Sequence, residues 1–178
     1  LIIIEGFKIE YFYDLDKKIV NFDIRGYSDV WIGIAFGKGM RGVDIVAIRA
    51  DQTLNTVLED MYSVYEEAPQ YDYTFPQCDK SKSLTQNVAM YEPNSGSMWV
   101  TFSKPFDGGP CNISFTEQMT IDISIAFGTD PIKFMKHKKV KTDRFIFSSK
   151  QLQDQEGFGV LFVYFFKGFF VLYMVLFL

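Results

Sequence analysis

One histidine, two cysteines and seven methionines limit the metal and haem chemistry open to this 178-residue chain. His137 is the only imidazole, and no Ser or Cys nucleophile accompanies it in a recognisable setting, so no triad or dyad emerges. Two cysteines, Cys78 and Cys111, are too few for a zinc cluster. Any metal or haem site must therefore use very few ligands. The run Gly37-Lys38-Gly39-Met40-Arg41-Gly42 is rich in glycine, but no helix follows it, which excludes a phosphate loop. Carboxylates are scattered singly and select no glycosidase pair.

The elements that must position these residues are strands. Up to about residue 127 the hydrophobic period is two, as in Val20-Asn21-Phe22-Asp23-Ile24-Arg25 and Ile121-Asp122-Ile123-Ser124-Ile125. Six further runs rich in β-branched and aromatic residues lie at 8–13, 30–36, 44–50, 55–61, 84–91 and 98–103. Turn signals separate them, among them Pro93-Asn94-Ser95-Gly96 and Asp107-Gly108-Gly109-Pro110. Eight short strands predict an all-β fold, an antiparallel immunoglobulin-like β-sandwich. Residues 66–83, with Pro69 and Pro76, read as a long surface loop, and Asp60, Asp72 and Asp107 as turn residues.

Composition narrows the function classes. Eighteen basic against 22 acidic residues give a net charge of -4, which argues against nucleic acid as partner. A chain 48% hydrophobic and 17% aromatic has enough apolar surface to fold, which excludes disorder. Cys78 and Cys111 both fall on loops. They can pair, which implies an oxidising compartment, or remain two free thiols. Asn112-Ile113-Ser114 is an acceptor tripeptide for N-glycosylation. Lys136, Lys138, Lys139, Lys141 and Arg144 pull the other way, because positive charge beside a membrane segment tends to stay cytoplasmic.

Such a segment is expected at the end of the chain. Residues 158–178 are apolar or aromatic except for Gly159, Lys167 and Gly168. A bilayer core of about 30 Å needs roughly 20 such residues in a helix. A cleaved lipid-anchor signal after Ser148 and Ser149 also fits this pattern, but a spanning helix is the better reading. Lys167 is costly in lipid and points to a neighbouring membrane subunit. The organisation is thus a sandwich over 5–147, a stalk over 148–157 and a transmembrane helix over 158–178. The absence of an initiator Met is consistent with a removed signal peptide or with missing upstream residues. A removed signal would override the charge bias and leave the β-domain lumenal or extracellular.

One ordered pattern remains. Val30-Trp31-Ile32-Gly33-Ile34-Ala35-Phe36-Gly37 is followed by Met40, Gly42 and Asp44. Later come Glu59-Asp60-Met61, Trp99 with Lys104-Pro105, and Ile125-Ala126-Phe127-Gly128 followed by His137. This resembles the DOMON family, the sandwich domain named for dopamine monooxygenase and shared with the cytochrome domain of cellobiose dehydrogenase. In the haem-binding branch a b-type haem has Met and His as axial ligands, and the matching positions are Met40 and His137. The resemblance therefore implies haem b held non-covalently, since no C-x-x-C-H is present. Met135 is a rival ligand. Lys136 and Lys138 are placed to meet haem propionates, and Trp31 and Trp99 to be core or pocket-wall aromatics. Lys104 stands where many relatives have Arg, which weakens a propionate role there. Asp44 is expected to bond turn amides beside Met40. The resemblance implies an electron carrier or binding module rather than a catalyst. The alternative is a non-haem DOMON module, a ligand binder or a structural subunit of a membrane or surface assembly.

Overall fold

The computed structural model describes residues 2–4, 6–27, 30–53, 55–65, 68–79, 83–92, 96–116, 118–133 and 137–148. Met135, Lys136, Lys167 and the expected membrane helix at 158–178 lie outside these residues. Among the described residues no helix is long and apolar enough to cross a membrane.

Among the described residues, eleven strands form two sheets. The first has the order β1 (Ile2–Ile4), β2 (Phe7–Asp14), β3 (Ile19–Tyr27), β9 (Ser97–Pro105), β8 (Thr85–Glu92). The second runs β11 (Lys139–Ser148), β10 (Gln118–Phe127), β4 (Ile32–Phe36), β5 (Val43–Ala50), β6 (Thr56–Ser63), β7 (Gln70–Tyr71). Their inner faces meet in an aromatic core. Phe22 stacks on Phe102 at 5.0 Å and reaches across to Phe36 at 5.5 Å. The alternation in β3 is the cause, since Val20, Phe22 and Ile24 are buried while Arg25 is exposed.

Strand β4 breaks the one-sided pattern usual in a sandwich. All five of its residues are buried. Phe36 faces the core, so Gly33 and Ala35, one pleat out of phase, face away from it. The outer side of this sheet is therefore covered as well. Residues 66–83 are more than a loop. Residues Gln70–Tyr71 pair with β6 and lead into a 3-10 turn at Asp72–Thr74, where Asp72 is buried. The two prolines flank this turn rather than prevent it.

Of the basic residues in this stretch, Lys139, Lys141 and Arg144 lie in β11 and Lys138 just before it. Lys139 and Phe147 lie at opposite ends of the visible part of β11, eight residues apart, or about 27 Å. The compact unit runs Leu1–Phe147.

Candidate functional site

Strand register builds a shallow on the outer face of the six-stranded sheet. Ala126, Gly33 and Ala47 stand side by side across β10, β4 and β5. The next row is Ser124, Ala35, Ile45, Met61 and Tyr71. The rows are small or aliphatic over β4 and β5 and become polar at β6, where Glu59 stands opposite Ala47, pairs with Arg49 at 2.6 Å and accepts from the Tyr71 hydroxyl at 2.8 Å. Ser124 spends its hydroxyl on the Gly37 carbonyl (3.0 Å) and on Thr142.

Two larger side chains bound this floor. The hairpin between β4 and β5 carries Met40, which is half-buried and packs with Tyr71 against Ala35, Val43, Ile45, Ala47 and Met61. At the other end Trp31 is buried. A Cβ on Gly128 would lie 2.0 Å from the indole nitrogen, so only glycine lets the Trp31 ring settle there. His137 is exposed, and the amide of Lys138 donates to the Phe127 carbonyl at 2.9 Å. Because Phe127 is opposite Ile32, His137 belongs to the Trp31 end. Met40 and His137 thus approach from opposite ends of β4, a strand about 13 Å long, and Met40 folds back over its outer face toward Ala47. Lys138 is exposed beside His137. Trp99 is no pocket wall. It is partly exposed on the five-stranded sheet, donates to Asp23 at 3.0 Å and lies under Arg25.

Sequence reasoning missed a buried ionic cluster between the sheets. Lys104, fully buried on β9, donates to Asp44 on β5 (3.0 Å), to Asp60 on β6 (3.0 Å) and to the Asn112 side-chain oxygen (2.7 Å). Asp44 also accepts from the Ile113 amide at 2.8 Å, and Asp60 from the Leu84 amide at 2.9 Å. Asn112 donates in turn to Asp72 at 2.9 Å. The other Asp72 oxygen is buried without a partner. Asp60 is therefore a strand residue rather than a turn residue, while Asp72 does open a turn but is buried in it, and Asp44 lies in β5. They surround one cation that holds the two sheets together. The legible signal was phase, since Lys104 falls on the same pleat as buried Val100 and Phe102.

The electrostatics follow from burial and crowding. Burial pushes the Asp44 carboxyl up against the downward pull of Lys104. For Lys104 burial acts downward, but Asp44 and Asp60 outweigh it and hold the ammonium above its ordinary range. Asp72 is pushed up to about 7, first by burial and then by Asp60 and Asp44. A cleft of about 370 Å³ opens beside the cluster, with Asp60, Tyr71, Asp72, Tyr73, Cys78 and Ser83 among its lining. Neither Met nor His lines it, so it is a poor place for haem.

Cys78 and Cys111 form a disulfide and tie the Asp72 turn to the Asn112 loop. Closing a loop of this length contributes about 3–4 kcal/mol in the chain-entropy model. Asn112 itself is turned inward, 7% exposed, with both amide atoms hydrogen-bonded. A sugar on that nitrogen would break the bond to Asp72, so glycosylation of Asn112 and the cluster compete. We expect the peptide spanning Asn112 to have its unmodified mass in folded protein from a secreting host. A glycan there would contradict the cluster.

The chain matches the DOMON domain over residues 5–128. No curated protein matches it. Two solved structures share the fold. The cytochrome b domain of pyranose dehydrogenase from Coprinopsis cinerea is 13% identical, with a TM-score of 0.54, over 78% of this chain and 81% of that one. The cytochrome domain of Myriococcum thermophilum cellobiose dehydrogenase is 11% identical, with a TM-score of 0.55, over 80% and 76%. A sandwich with this strand pattern and a family match across most of its length admits one assignment: the chain belongs to the DOMON domain family.

Proposed function

We propose that this chain is a membrane-anchored electron carrier whose β-domain binds haem b, with Met40 and His137 as the axial ligands. The observation that carries this reading is Met40 packed over the outer face of the six-stranded sheet with Trp31 buried at the far end of β4, in a fold shared with cytochrome domains. The residues fit such a group in kind. A thioether and an imidazole suit low-spin iron, and Lys138 is exposed beside His137. When bound, the group would supply one-electron chemistry, held by Met40 and His137. Met40 would offer a soft thioether that raises the potential, and its packing on Ile45 and Met61 holds the hairpin against the sheet. Trp31 keeps water from the floor, and Lys138 offers charge to a propionate.

Residues 158–178 would anchor the domain in a bilayer, with Lys167 facing a helix of another subunit. The disulfide supports a lumenal or extracellular position for the β-domain. A second reading, a non-haem binding or structural module, is favoured by one observation: Ala35, Ala47 and Ile45 are already buried by the protein itself.

The visible spectrum of the purified full chain separates the two. The haem reading expects a reduced α-band that disappears in Met40→Ala and in His137→Ala while the thermal midpoint of the sandwich is retained. A colourless protein after reconstitution with haem, folded by circular dichroism, would establish the second reading instead.

A further inference from the structure

Charge is distributed unevenly over this acidic chain. Residues 129–144 contain six basic and two acidic side chains, a net of +4, so the remaining 162 residues carry -8. Lys133, Lys138, Lys139, Lys141 and Arg144 are all exposed. Arg144 is engaged with Asp122 at 2.9 Å. Lys139 also has a partner of its own, and with Lys133, Lys138 and Lys141 it gathers where β10 passes into β11, the end of the sheet that also holds Trp31 and His137.

We propose that Lys133, Lys138, Lys139 and Lys141 form a docking face for an acidic protein that exchanges electrons through the site beside His137. This deepens the haem reading and rests on it. Two plainer explanations fall short. Lysines on an edge strand do discourage strand pairing, but Lys133 and Lys138 lie off the strand. A membrane surface would favour basic residues near the point where the chain leaves the sandwich, whereas Lys139 is at the far end of β11 from Phe147. An acidic protein surface is the occupant that matches both the sign of the strip and its place beside His137. Complementary charge steers encounter within about a Debye length, roughly 10 Å at 0.1 M salt, so a local +4 can govern approach although the whole molecule is negative.

Two readouts test this on the full chain in detergent. The first needs no haem. Poly-L-glutamate should bind at low salt, weaken at least tenfold on raising salt about tenfold, and fail to bind Lys133→Glu/Lys139→Glu/Lys141→Glu. The second uses haem-loaded protein, where one electron leaves the reduced centre and converts hexacyanoferrate(III) to hexacyanoferrate(II). That rate should fall as salt rises, opposite to what a net charge of -4 demands, and the triple variant should reverse the trend. A coloured protein that repels poly-L-glutamate and reacts faster at high salt overturns the docking face alone. A colourless protein that still binds poly-L-glutamate overturns the haem reading alone. Loss of poly-L-glutamate binding when phosphatidylserine is added to phosphatidylcholine nanodiscs would assign the strip to lipid, and would also overturn the proposal.

Discussion

Lys104→Met should lower the stability of the sandwich by about 3–5 kcal/mol, read as a fall in the urea midpoint with little change in slope. Lys104 is fully buried, and its ammonium is shared by Asp44, Asp60 and Asn112. Removing the cation leaves two carboxylates inside the molecule with no counter-charge. The loss is a large fraction of the 5–15 kcal/mol typical of a domain. A second variant distinguishes charge from packing. Lys104→Met combined with Asp44→Asn and Asp60→Asn removes the stranded charges and should recover a good part of the loss, a non-additive result. If the single variant costs under about 1 kcal/mol, the cluster is not the clasp described above.

The second large effect is a stability profile that slopes the unusual way. Asp72 has a pKa of about 7 in the folded chain, against an ordinary carboxyl value near 4 once unfolded. Between those values the native state holds a proton that the unfolded state has released. Stability contributed by this group is therefore complete below about pH 4 and is lost as pH rises to about 7, the reverse of a salt-bridged carboxylate. We expect a fall on the order of 2 kcal/mol across that interval, since part of the shift is screened by solvent at the cleft. Asp72→Asn cannot release a proton, so the slope should flatten, with the variant more stable than the parent at pH 8. Titration of the urea midpoint from pH 4 to 8 decides it. A parent protein that gains stability over this interval, with Asp72→Asn following the same curve, would refute the assignment.

Much of the architecture could be read from the residues, and the reasons differ by element. Strand β3 alternates cleanly because it packs on one side, and that spacing is visible in the letters. The pairing of Cys78 with Cys111 was one of two open readings, and the structure selects it. Strand β4 is less legible. Its glycine and alanine are too small to announce a second buried face, which exists only once Met40 folds back over it. The Asp72 turn was hidden by Pro69 and Pro76, which look like loop punctuation until Tyr71 pairs with Met61. Lys104 was hardest, because a lysine is ordinarily a surface residue. Only its phase with Val100 and Phe102 betrays it, and its three acidic neighbours come from strands and turns 32 to 60 positions away (44 to 104, 72 to 104). Local patterns report local packing. A cluster assembled from four separate segments leaves almost no local trace.

The clasp between the sheets also bears on how such a sequence can drift through time. Exchanging Lys104 for a neutral side chain is harmful while Asp44 and Asp60 remain, whereas neutralising one aspartate first leaves the ammonium paired with the other. The tolerable order of loss therefore begins at an aspartate. Descendants that kept both carboxylates without the lysine ought to be scarce.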